Sequence, residues 1–274
     1  MKPRCLDVVL HGEPWLQDHA FAGQAVLPAV ESMALLATTV KQQWPATDIT
    51  AMERAMFPRF FALPDKISRL PFVVELEKIG AMVQADLYSR QATGKFSRLV
   101  RHASLVFGAE TSLPSISASS PVPDDTLTLG GQTVYDELIP FGPAYRHLDS
   151  VTIAFNRCTA LLHTPPLPVT CHELGSPFLL DSALHAACVW GQRFAGFVPL
   201  PVGFRSRLVI RPSRPNTTYQ ALVIPVDRQE NELIFDMDIR EMSGESVERL
   251  RGVRMRDVSG GTLSPPAWIR TKKQ

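Results

Sequence analysis

The sequence is poor in the features that announce a metal, membrane or nucleic-acid protein. Its 274 residues hold four cysteines, Cys5, Cys158, Cys171 and Cys188, with no C-x-x-C pair, and its seven histidines form no H-E-x-x-H. Both absences count against a zinc site. No run of 18 apolar residues occurs, so no membrane span is expected. Lys and Arg number 28 against 27 Asp and Glu, a net charge of +1, which leaves no electrostatic footprint for nucleic acid. The first residues, Met1 to Cys5, lack the apolar core and cleavage site of a signal peptide. A cytoplasmic address is expected, with reduced and largely buried cysteines.

What is present is ordinary globular composition, 45% hydrophobic and 20% charged. The length suits one large domain or two small ones. The 23 prolines exceed the average usage of about 5% and favour strand ends and loops over a helical bundle.

Two helices stand out. Residues 28–44 place Val30, Met33, Ala34, Ala37 and Val40 at helical spacing, with Pro28 at the start and Pro45 at the end. Residues 178–194 place Leu180, Ala183, Leu184, Ala187 and Trp190 on one face. Strand-like runs follow each helix, at 49–63, 70–79, 83–90 and 97–107, then at 206–210, 218–226, 233–242 and 246–257. On the last run Arg249, Arg251 and Arg254 are expected to be exposed. Residues 109–131, rich in Ser, Pro, Thr and Asp, read as a linker. The chain therefore reads as one unit used twice: 1–108, a linker, 132–258, and a tail at 259–274. Each unit is a leading strand or loop, one long helix and then about four antiparallel strands, an α+β arrangement, and the two units could share one sheet.

Three stretches are candidates for chemistry. They are His19-x-x-x-Gly23-x-x-x-x-Pro28, then Phe141-Gly142-Pro143-Ala144-Tyr145, then Asp181-x-x-x-His185. Each has an ordinary reading alone. His19 could be a packed ring, and the Phe-Gly-Pro stretch a plain turn. Asp181 and His185 could be a structural pair one helical turn apart. An acid inside an apolar helix still needs a partner or a raised pKa.

Taken together, in this order and spacing, they resemble the dehydratase domains of polyketide synthases and related fatty-acid synthases, which have a double-hotdog fold. The preceding Pro14-Trp15-Leu16-Gln17-Asp18 and the later Leu200-Pro201 stretch agree. The resemblance runs from about residue 5 to about residue 258.

It implies loss of water from a β-hydroxyacyl thioester, with His19 as base and Asp181 as acid. His185 would hold Asp181, and burial would keep that acid neutral. Gly23 would bring a backbone N–H to the thioester oxygen, and Pro28 would open the first helix toward the site. Phe141, Gly142, Pro143 and Leu180 would line the substrate tunnel.

No cofactor is implied beyond the phosphopantetheine arm of an acyl carrier protein, which is the expected partner. A homodimer or neighbouring synthase domains are further expected partners, with no nucleic acid and no membrane. Arg205, Arg207, Arg211 and Arg214 could face the carrier. A double-bond-shifting isomerase, a cyclase and a non-catalytic carrier-binding module are the alternatives on this fold.

Two departures stand out. Phe141 replaces the family's tyrosine before Gly-Pro, so that hydroxyl is lost unless Tyr145 or His147 supplies a substitute. Ser176 stands before Pro177 where a histidine is frequent.

Overall fold

The computed structural model describes residues 3–21, 23–65, 68–93, 96–109, 112–116, 125–166 and 173–270. The chain opens with strand β1 (Arg4–His11) and a small hairpin, β2 (Ala20–Phe21) with β3 (Gln24–Ala25). Helix α1 (Ala29–Gln43) follows, then β4 (Ala51–Met56), β5 (Arg69–Ile79), β6 (Met82–Thr93) and β7 (Phe96–Phe107). The second half begins with β8 (Leu127–Gly130) and a helical turn α2 (Gly131–Thr133) that continues into a π turn, Val134–Leu138. Then come β9 (Leu148–Ala154), β10 (Arg157–His163) and helix α3 (Pro177–Phe194). Four strands follow, β11 (Leu200–Val209), β12 (Thr218–Arg228), β13 (Glu232–Glu241) and β14 (Ser246–Arg256), and a last turn, α4 (Ala267–Arg270).

Twelve strands form one sheet in the order β1-β5-β6-β7-β4-β11-β14-β13-β12-β10-β9-β8. The two halves join where β4 pairs antiparallel with β11, Phe204 opposite Ala55. Helix α1 packs on β5, β6 and β7; α3 packs on β9, β10, β12 and β13, and the two helices touch. This is the double hotdog that the sequence led us to expect.

The helices form where apolar spacing and proline punctuation agree. Pro28 is extended, with φ −60° and ψ 146°, and releases α1 from a strand-like conformation. Val30, Met33, Leu36, Ala37 and Val40 are its buried stripe. In α3 Pro177 occupies the first turn, where no amide hydrogen is needed, and every residue from Leu179 to Gln192 is buried. A helix enclosed on all sides cannot carry polar groups idly. Asp181, Ser182, His185 and Gln192 are therefore the residues to explain.

Several expectations need correction. The segment read as linker is partly structural, because Leu127–Gly130 pairs with β9 as an edge strand. Its earlier part wraps the outer sheet face, where Ser115 Oγ and the Ile116 amide donate to Asp238 at 3.0 and 2.9 Å. The tail is anchored by Ile269, which is fully buried. Arg251 is also buried rather than exposed, because Asp238, with no exposed surface, lies 3.0 Å from its guanidinium. The run at 49–63 is strand only to Met56; beyond it the chain leaves the sheet, and only an isolated bridge, Val26 to Ala62, remains. Strands β9 and β10, not assigned from the sequence, form the leading part of the second unit before α3. Cys158 and Cys188 are buried and free and Cys5 is exposed and free, while Cys171 lies outside the described residues.

Candidate active site

His19 and Asp181 meet although they belong to different halves of the sheet. His19 Nε2 lies 3.9 Å from Asp181 Oδ1. Both line a cavity walled largely by apolar side chains, among them Phe57, Phe61, Leu184 and Val198.

The His19 tautomer follows from one contact. Nδ1 lies 3.0 Å from the Val26 carbonyl. A carbonyl only accepts, so Nδ1 carries the hydrogen and Nε2 is the free base facing Asp181. Burial lowers the His19 pKa below 6.5, with the Asp181 charge opposing. The ring is therefore neutral at pH 7, as a base must be.

Asp181 does not behave as burial alone dictates. Burial pushes its carboxyl up, but the charges of His185, His19 and His147, with a hydrogen-bonding contribution from His185, outweigh it. The net direction is downward, against the expected neutral acid. His185 Nε2 lies 2.9 Å from Asp181 Oδ2. That contact is close but poorly directed, so both atoms are left without a well-formed hydrogen bond. Such misalignment is common in sites without substrate.

The Phe-Gly-Pro loop is latched to the first motif through Asp18. Its carbonyl accepts the Gly142 amide at 2.8 Å, and its carboxylate accepts the Ala144 amide at 2.8 Å. A Cβ on Gly142 would stand 2.4 Å from Asp18 Cγ, so any side chain there would force the latch to shift. The latch sets Phe141 against both histidines, 4.4 Å from the His19 ring and 5.1 Å from the His185 ring.

With this geometry in hand, comparison with known proteins is informative. Residues 113–265, more than half of the chain, match the family model described as the polyketide synthase dehydratase N-terminal domain. The chain belongs to the polyketide synthase dehydratase family.

Polyketide synthase PksN of Bacillus subtilis (strain 168) is 24% identical, over 92% of this chain and 5% of its own length. The chain thus spans about one twentieth of that curated relative. A trans-AT polyketide synthase dehydratase domain from Brevibacillus brevis superposes with a TM-score of 0.76 at 16% identity, covering 93% of each chain. The dehydratase domain of the CurJ module of curacin polyketide synthase gives 0.75 at 16%, covering 93% of this chain and 92% of that one. A bifunctional dehydratase-cyclase domain from ambruticin biosynthesis gives 0.68 at 20%, covering 93% and 91%. These likenesses establish the shared double-hotdog fold.

Within this dehydratase fold the remaining candidates separate. Phe141 lines the cavity as expected, but Gly142, Pro143 and Leu180 do not. Gly142 and Pro143 build the latch and the turn after it, and Leu180 is core, 1% exposed. Gly23 is exposed at the tip of the β2–β3 hairpin with φ +80°, a backbone conformation that favours glycine. It is not on the cavity wall. The open end of α1 is, through Ala29 and Ser32.

Neither proposed substitute for the missing hydroxyl reaches the cavity. The Tyr145 hydroxyl is buried without a hydrogen-bond partner, although the ring edge meets His19 at 5.0 Å. His147 is occupied at both nitrogens, by His163 Nε2 and the Ala144 carbonyl, each at 3.0 Å.

The arginine cluster also divides. Arg207 is buried and bonded to Glu248 at 2.7 Å, while Arg211 and Arg214 pair with Glu245 and Glu241. The arginine at the cavity wall is instead the exposed Arg59. From it a groove runs over the outer face past Arg254 and Arg256.

Two groups escaped the sequence reading. Glu31, in the first turn of α1, is buried; burial and the Asp181 charge push its carboxyl up to about 7, against a hydrogen bond from Trp15. An acid beside Pro28 on an apolar stripe was the available signal. Tyr135 is the other, reaching His185 Nδ1 at 3.2 Å. Among the described residues no helix is long and apolar enough to cross a membrane.

Proposed function

We propose that this chain removes water from a β-hydroxyacyl thioester carried on the phosphopantetheine arm of an acyl carrier protein, giving a 2-enoyl thioester. The observation that carries this reading is the 3.9 Å approach of His19 Nε2 to Asp181 Oδ1 on the wall of an apolar cavity.

His19 Nε2 takes the proton from Cα. The C–H electron pair forms the Cα=Cβ bond, and the Cβ–O bond breaks. The departing oxygen takes a proton from the Asp181 carboxyl and leaves as water. Proton return from the His19 imidazolium to the Asp181 carboxylate restores both groups. The histidine charges that pull the Asp181 pKa down are absent while those rings are neutral, and burial then favours the protonated carboxyl that this step needs.

Charge that develops on the thioester oxygen needs donors. The Val26 and Leu27 amides are already bonded, to the His19 and Phe61 carbonyls. The first amides of α1, at the Ala29 wall, are the better placed group, and the helix dipole adds to them. This replaces the role first expected of Gly23. Arg59, exposed at the wall, suits the phosphate of the arm and an acidic carrier, whereas Arg254 and Arg256 in the adjoining groove are paired with Glu232.

The test is to incubate the protein with 3-hydroxyacyl thioesters on carrier protein and follow mass. Loss of one water supports the reading. No mass change, or an enoyl substrate converted only to a shifted double bond, overturns it.

A further inference from the structure

Tyr135 sits on the π turn Val134–Leu138, which is closed by the Ile139 amide donating to the Val134 carbonyl at 2.8 Å. Such turns recur at functional sites because the extra residue re-aims a side chain. Here the turn drives the Tyr135 ring into the core beneath α3, 2% exposed, edge-on to His185 with centroids 5.7 Å apart. Arg146 covers the ring at 5.7 Å and is itself held by Asp136 at 3.0 Å. The ring is therefore fixed from both sides.

The hydroxyl makes two contacts that together assign protons. The Leu148 amide lies 2.9 Å from it, and an amide can only donate. The phenol oxygen is thus already an acceptor, and its one hydrogen must go elsewhere. Nδ1 of His185, at 3.2 Å, is a hydrogen-bond partner within reach of it, and the direction of that bond is set by the His185 tautomer. Ser182 Oγ is close by but is left without a hydrogen-bond partner. If Nδ1 accepts, the ring hydrogen of neutral His185 resides on Nε2. That atom is the one 2.9 Å from Asp181 Oδ2.

We propose that Tyr135 is a positioning residue: it holds His185 in the Nε2–H tautomer, which faces that hydrogen toward Asp181 Oδ2 for a bond that aligns when substrate is bound, and leaves Oδ1, the oxygen facing His19, to carry the catalytic proton. This rests on the dehydratase reading for its last step only. The tautomer itself is a property of the resting protein.

The test uses the whole chain labelled with nitrogen-15 on histidine. In the wild type near neutral pH, His185 is expected to show a protonated Nε2 and an unprotonated, hydrogen-bonded Nδ1. In Tyr135→Phe the Nδ1 signal is expected to shift and the Nε2 preference to weaken. A wild-type His185 with its hydrogen on Nδ1 overturns the proposal and needs no variant. For turnover, Tyr135→Phe is expected to lower kcat at least tenfold with KM within twofold. In a His185→Gln background, where no tautomer exists to be chosen, the same change is expected to cost less than twofold. Equal losses in both backgrounds would show a merely structural role and overturn it. If the wild type turns over no hydroxyacyl thioester while the nitrogen shifts are as expected, the reaction assignment fails and the tautomer assignment stands.

Discussion

His19 Nε2 stands 3.9 Å from Asp181 Oδ1, with its other nitrogen tied to the Val26 carbonyl. The base is thereby aimed before substrate arrives, which removes an orientational cost from the reaction. Burial lowers the His19 pKa and the Asp181 charge opposes that shift. The acid limb of kcat/KM, which reports the free base, should therefore have its midpoint below 6.5. In Asp181→Asn the His19 ring, followed by NMR, should titrate at a lower pH still. An upward move would mean that the two groups do not interact as the geometry requires.

Glu31 gives a stability prediction with a definite sign. Its folded pKa, about 7, lies above the ordinary 4.5, so the folded state binds the proton more tightly. Its contribution is fully present below pH 4.5 and is lost as pH rises through 7. Glu31→Gln should leave stability at pH 4.5 nearly unchanged and raise it at pH 8 by up to about 3 kcal/mol. Chemical denaturation at the two pH values checks this; equal effects at both would place the Glu31 carboxyl in solvent.

Gly142→Ala should damage the site more than the fold. The added Cβ meets Asp18 Cγ at 2.4 Å, so the loop must retreat and Phe141 with it. Turnover should fall at least tenfold, a loss of about 1.4 kcal/mol or more in transition-state stabilisation. Thermal unfolding should show a cooperative transition shifted by only a few degrees, and full activity would show that the latch does not position the loop.

Arg59→Glu separates carrier recognition from chemistry. KM for carrier-bound substrate should rise about tenfold, as reversal of a steering charge typically does. Turnover of a short thioester that lacks both phosphate and carrier should stay within twofold. Loss on both substrates would place Arg59 in the cavity chemistry rather than at its mouth.

Sequence made parts of this site legible because some relationships are local. Asp181 and His185 are one helical turn apart, so their contact follows from α3 alone, and the spacing from His19 to Pro28 marks the entry to α1. Other relationships are tertiary. The Asp18 latch joins residues 126 positions apart, and nothing near either end announces it. Tyr135 and Glu31 owe their roles to burial, which a single sequence reports poorly. The same gap misplaced Arg207 and Arg251: one was expected to face the carrier and the other to be exposed on its strand, but buried Glu248 and Asp238 hold them. Strands β9 and β10, seven residues each, were not read from the sequence.

The central claim is that His19 and Asp181 perform the elimination, and single-turnover mass measurement on a carrier-bound 3-hydroxyacyl thioester tests it most directly. With His19→Ala and with Asp181→Asn, each checked for a folded sheet by circular dichroism, the account predicts loss of at least a thousandfold in the rate of water loss. Either folded variant releasing water at the wild-type rate would contradict it.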